Sequence, residues 1–251
     1  MSTTTVTRTP ASRTRGPAAD RKALVLAAVC LGGGFVALIL ASVFHPDGMD
    51  QNDHQSVFTE YARSTGWTAD HLAFFAAMAV TVVGFLVLFD ALHLPAGMSR
   101  LVARIGAAFA GLALALTAMR FAVDGVVLKR AVDAWASAPD TEKAARFADA
   151  ETVRWTEEAI VSYQSIAFGV TAILLAVVIV WTASLPRPLG YLFAVGGIVY
   201  LVVGWIMGVG GFAPAGAIPT QVAQTSQLVW AGYLLFVAWR TPRSMSGDEH
   251  V

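Results

Sequence analysis

Arg120 and Asp124 stand four residues apart, just past a stretch, Ile105–Met119, that carries no charge. At that spacing two side chains share one face of a helix. Arg120 precedes Lys129 by nine residues, so it would lie roughly 13 Å deeper along a helix axis. If the stretch crosses a membrane, a charge at such depth costs about 2.5–3.5 kcal/mol on insertion scales. Pairing with Asp124 and snorkelling would offset much of that. The pair is then either an ion pair internal to a bundle or part of a wet cavity that meets an anion or a proton.

Other polar side chains recur in apolar runs. Glu158, Ser162 and Ser165 follow at i, i+4 and i+7, and Gln221, Gln224 and Gln227 at i, i+3 and i+6. At lipid depth such groups turn inward, where interhelical hydrogen bonds contribute about 0.6 kcal/mol each. Helix-to-helix bonding accounts for many of them, but less well for their gathering at one end. The ligand-binding candidates are Arg120, Asp124, Glu158, Ser162, Gln224 and Gln227, with Tyr200 and Trp205 able to wall the same space. His45, His54 and His71 sit with Asp47, Asp53 and Asp70, and imidazole with carboxylate suits zinc, iron or manganese. No H-x-x-x-H or H-E-x-x-H spacing supports a metal there, so no cofactor is expected and a divalent metal is the alternative. Gly32–Gly34 and Gly196–Gly197 read as close helix contacts, since no strand precedes them and no Lys follows as a phosphate loop requires.

These residues need elements to hold them. The composition is 56% hydrophobic and 14% charged, with mean hydropathy +0.62; soluble domains run near 25% charged. A helix crosses roughly 30 Å of hydrocarbon with about 20 apolar residues. Uncharged or nearly uncharged runs predict six transmembrane helices at 23–44, 71–92, 101–127, 158–183, 189–207 and 221–239. The Gly- and Pro-rich segment 208–219 divides the last two. The fold class is an all-α integral membrane bundle, residues 23–240, with cytoplasmic tails at 1–22 and 241–251. The Ser-, Thr- and Pro-rich N-terminal tail has little to bury and is expected to be disordered. The first run is too long for a signal-peptide core. Between helices 3 and 4, the segment 126–157 predicts a short extracytoplasmic surface helix, capped at Asp140 or Thr141 after Pro139.

The balance of Lys and Arg sets orientation. With both termini in the cytoplasm, ten of the 17 basic residues lie inside, and the first outer loop carries only Arg63. Trp67, Trp155 and Trp205 would then sit near the outer interface, and Trp181 and Trp239 near the inner one. Thirteen of the 17 acidic residues fall on the outer side, an asymmetry the charge rule does not require. The equal numbers of acidic and basic residues point away from nucleic acid. Membrane lipids are the expected partners, with a helix-mediated homo-oligomer or another membrane protein as further contacts, and the plasma membrane is the expected location. The lone Cys30 excludes an intramolecular disulfide.

Leu185–Pro186–Arg187–Pro188–Leu189–Gly190, followed by a glycine-bearing helix, resembles the bacterial multipass family called domain of unknown function 4386, over the C-terminal half. That resemblance implies a membrane bundle and carries no activity or functional residue with it. Three function classes stay open. The favoured one binds or transports a small ligand, proton or lipid headgroup through an outward-facing polar cavity. The others are a metal-dependent membrane enzyme using the outer histidines and a structural or assembly protein without a site.

Overall fold

A computed structural model describes residues 20–43, 45, 50–94 and 96–241. The expected disordered tail and nearly all of the C-terminal tail lie outside these residues. Among the described residues there are helices and no strand. They are α1 (Arg21–Ser42), α2 (His54–Arg63), α3 (Trp67–Ala91), α4 (Met98–Ala122), α5 (Lys129–Ala136), α6 (Asp140–Thr182), α7 (Arg187–Gly210) and α8 (Ala217–Arg240). A π-helical turn, Val123–Leu128, joins α4 to α5, so Met98–Ala136 runs on without a break in direction.

Five helical stretches are long and apolar enough to cross a membrane: Arg21–Ser42, Trp67–Ala91, Met98–Ala136, Asp140–Thr182 and Arg187–Gly210. The protein is an integral membrane protein. The sixth expected span, α8, has 24 residues but opens with Pro219, Thr220, Gln221, Gln224, Thr225, Ser226 and Gln227, which dilute its apolar character. It packs against α1 and α7. All six expected helices exist; α7 and α8 extend beyond the expected 189–207 and 221–239 by two to four residues at most ends.

The separate surface helix expected between helices 3 and 4 is corrected. Residues 140–157 are instead the first part of α6, a single helix of 43 residues. At about 1.5 Å per residue it is roughly 65 Å long, about twice the hydrocarbon thickness. Continuity follows from the burial pattern: Ala150, Arg154, Glu157, Val161, Gln164, Phe168, Thr171 and Leu175 alternate by four and three, and all are buried. One inward stripe therefore runs through both the charged and the apolar halves, and nothing between them breaks the helix. Pro139 does turn the chain, at the tip of the hairpin of α5 and α6.

That hairpin projects from one end of the bundle. Its base is roofed by α2, a helix inside the first long loop. Val57, Phe58, Tyr61, Trp67, Leu128, Val132 and Ala150 form a small core there, apart from the main apolar core. His54 Nδ1 lies 3.0 Å from Glu151 Oε1, tying α2 to α6. Asn52 Nδ2 donates to the Gly210 carbonyl at 3.1 Å, tying the same loop to α7.

Close backbone approaches set the helix order. A Cβ on Gly34 would fall 2.8 Å from the Ala77 carbonyl, and one on Gly84 would fall 3.1 Å from the Ala27 carbonyl. α1 and α3 are thus antiparallel and in near contact. Gly197 similarly meets Gly169, and Gly204 meets Ser162, which fixes α7 antiparallel to α6. The triple glycine is not uniform: Gly33 faces open space. Arg21 Nε donates to the Ala238 carbonyl at 2.9 Å, so the start of α1 and the end of α8 meet at the end away from the hairpin.

Of the five tryptophans expected at interfaces, Trp155, Trp181, Trp205 and Trp239 are exposed on the helix surfaces. Trp67 is not. It is buried, and its indole bonds the π-helical turn.

Candidate polar site at the hairpin end

The site is built on the π-helical turn. In such a turn the backbone bonds skip to i+5 and carbonyls lose their ordinary partners. Two of them are met from α3: Trp67 Nε1 donates to the Asp124 carbonyl at 2.9 Å, and Thr68 Oγ1 donates to the Gly125 carbonyl at 2.7 Å. Gly125 lets α3 come this near, because a Cβ there would sit 2.6 Å from His71 Cβ. The first turn of α3 and the π-helical turn thus lock together and bring His71 to Asp124.

His71 Nε2 lies 2.9 Å from Asp124 Oδ2, and its Nδ1 lies 2.7 Å from the Trp67 carbonyl oxygen. A carbonyl only accepts, so Nδ1 carries a hydrogen. Nε2 then either donates to an ionised Asp124 or accepts from a protonated one. In both cases the pair holds one proton more than a neutral imidazole beside a carboxylate. Both side chains are buried.

Around this pair are further charges. Arg154 Nη1 donates to Glu157 Oε2 at 2.7 Å, and both side chains are almost fully buried. Arg120 Nε approaches Glu157 Oε1 at 3.7 Å, and the Asp124 and Glu157 carboxyls are neighbours. Glu158 Oε1 stands 4.0 Å from Arg154 Nε at the edge. Four buried atoms, Arg120 Nε, Arg154 Nε, Asp124 Oδ1 and Glu157 Oε1, make no hydrogen bond among the described residues. Buried polar atoms are ordinarily satisfied; here Arg120 Nε and Glu157 Oε1 face each other at 3.7 Å, and Asp124 Oδ1 and Arg154 Nε are the other two unbonded atoms.

The lid is aromatic and amide. Gln51 Oε1 accepts from Arg154 Nη2 and from the Tyr61 hydroxyl, both at 3.1 Å. The Phe212 ring lies 4.1 Å from the Arg154 guanidinium carbon, inside the usual reach of a cation–π contact. The cluster is therefore closed over.

The expected pairing of Arg120 with Asp124 is corrected. Among the described residues they form no ion pair, because four residues no longer complete a turn where the helix widens and because His71 takes Asp124. Ser162 is also placed otherwise. Its hydroxyl donates to the Gly204 carbonyl at 2.7 Å and bonds α6 to α7. Gln227 lies deeper, where its Nε2 donates to the Tyr200 hydroxyl at 2.7 Å. Gln224 is half-buried on the same helix. Glu158 borders the cluster, with its carboxylate against Gly211, where a Cβ would fall 2.8 Å from Oε1.

The three histidines are not brought to one point. His45 and His71 have ring centroids 5.4 Å apart, inside an aromatic group with Trp67 and Phe74, whereas His54 is bonded to Glu151. Among the described residues no group of three or more His, Cys, Asp or Glu side chains is arranged to hold a metal ion.

Arg154 and Glu157 were not among the expected site residues, because they fell in the segment 126–157, read as carrying a separate surface helix. The inward stripe from Ala150 to Leu175 is the signal that finds them. Beneath the cluster, Gln164 Nε2 donates to Thr117 Oγ1 at 2.7 Å, a second bond that sequence alone did not pair.

Comparison with curated proteins and with solved structures gave no match. A family match covers residues 23–238, well beyond the C-terminal half that carried the resemblance in the sequence, and includes the first long loop with α2. The chain belongs to the family described as domain of unknown function DUF4386.

Proposed function

We propose that this membrane protein binds and moves protons through the cluster of His71, Asp124, Arg154 and Glu157. The carrying observation is the hydrogen-bond geometry of His71, whose two ring nitrogens face a carbonyl and a carboxylate and so require a bound proton. Intramembrane ionisable groups are costly, and proton relays are one recurrent use of them. Arg120 and Arg154 supply the countercharge that lets two carboxyls share one buried space. The open donor and acceptor atoms are where water or a small polar solute would enter once the lid of α2, Gln51 and Phe212 lifts.

This reading sits within a six-span bundle with both termini in the cytoplasm and the cluster towards the outer face of the plasma membrane. The meeting of Arg21 with Ala238 supports an even number of spans.

The test is proton movement in liposomes that hold the purified protein and an entrapped pH dye. A pH step should give a protein-dependent dye response that Asp124→Asn and Glu157→Gln both abolish while each variant still unfolds cooperatively in detergent, Glu157→Gln at a lower temperature. A folded wild-type protein with no response would sink the proton reading and leave the structural class. Stoichiometric metal in the purified protein would favour the enzyme class instead.

A further inference from the structure

At the opposite end of the bundle, where α3 ends and α4 begins, a cavity of about 610 Å³ opens between the two helices. Its wall joins two chemistries. Leu86 and Phe89 of α3 give an apolar side, while Arg100 and Arg104 of α4, with Asp90 and His93, give a polar mouth. Arg100 is anchored, because its Nε donates to the Leu94 carbonyl at 2.9 Å. Arg104 is exposed and makes no hydrogen bond or ion pair among the described residues, and neither does the Asp90 side chain. Two guanidiniums against one carboxylate leave one positive charge at the mouth. Next to Arg100 and Arg104 in sequence, on the adjoining face of α4, Leu101 and Ile105 are exposed, in a helix of membrane-crossing length.

We propose that this cavity holds the phosphodiester headgroup of a membrane phospholipid. One negative charge matches the one positive charge left at the mouth, and guanidinium binds phosphate oxygens in paired fashion. A free phosphate would use the arginines but not the apolar wall. A lipid uses both, with its acyl chains passing over Leu101 and Ile105 into the hydrocarbon. Basic pockets between helices at the membrane surface recognise lipid headgroups in this way. The site is separate from the hairpin-end cluster and stands or falls without it.

The probes are phosphatidylglycerol, inorganic phosphate and an uncharged detergent control, each titrated into detergent-purified protein while its thermal unfolding is followed. Phosphatidylglycerol should raise the unfolding temperature of the wild type. Arg104→Gln, which removes no hydrogen bond or ion pair seen among the described residues, should weaken the apparent lipid affinity about fivefold, as expected for one basic residue at a membrane surface. It should leave the unfolding temperature without lipid unchanged. Asp90→Asn should strengthen the lipid effect by removing the opposing charge. An equal response from inorganic phosphate would replace the lipid by a soluble anion. An equal response in wild type and Arg104→Gln, or none in either, would overturn the proposal.

Discussion

At the scale of single residues, the buried ion pair of Arg154 and Glu157 has the clearest energetic consequence. Removing one partner of such a pair strands the other charge and costs about 3–5 kcal/mol, whereas replacing both by apolar residues is often near neutral. Arg154→Met and Glu157→Gln should each lower thermal stability in detergent strongly. The double variant Arg154→Met/Glu157→Leu should be less damaged than the worse single variant. If the double loses the sum of the two singles, the pair is not where the cost arises. Some loss will remain, since Arg154 also bonds Gln51 and stacks on Phe212. Arg120, Asp124 and Glu158 were legible in the sequence as polar groups at apolar depth, because their cost in lipid sets them apart. His71 was legible only as a metal-ligand candidate at a helix end. Their partners were not legible. Which carboxylate meets which cation depends on a widened turn and on a glycine that admits α3, and neither leaves a spacing to read.

At the scale of elements, the long apolar runs of the spans survive from sequence to structure because a missing water forces every backbone group into a helix. What failed was the boundary between α6 and its charged extension, since polar residues on an exposed face look the same on a loop helix as on a projecting one. α2 was missed for a related reason: ten residues with few apolar positions, although Asp53 is an N-cap. Its carboxylate accepts from the Ser56 amide at 3.3 Å and from the Ser56 hydroxyl at 2.6 Å. Those bonds hold the Asp53 carboxyl below its ordinary range. A lowered folded value means that the ionised cap stabilises α2 fully above the unfolded pKa, near ~3.9. That support is lost as pH falls through the lower folded value. Asp53→Ala should therefore raise hydrogen exchange in α2 at neutral pH, and the difference from wild type should disappear in strong acid. A difference that persists there would assign the cap's effect to something other than the carboxylate.

At the scale of the whole molecule, the number of spans and the side each end faces decide what both sites can do. Five helices qualify on length and apolarity alone, which would put the termini on opposite sides. The contact of Arg21 with Ala238 brings the two ends together at the end away from the hairpin, and an even count follows if α8 also crosses. The polar start of α8 is consistent with crossing, because Gln227 is satisfied internally by Tyr200 and does not face lipid. On the proposed six-span reading, the excess of Lys and Arg in the short segments would put that end in the cytoplasm. A reporter active only outside the cytoplasm should give signal when fused after Asp50 and after Asp140, and none after Met98 or Thr241. The last fusion discriminates most sharply: signal there with silence after Met98 means that α8 does not cross and that the count is five. Signal after Met98 with silence after Asp140 would invert the whole bundle, turning the hairpin-end cluster to the cytoplasm and the cavity between α3 and α4 to the outer leaflet.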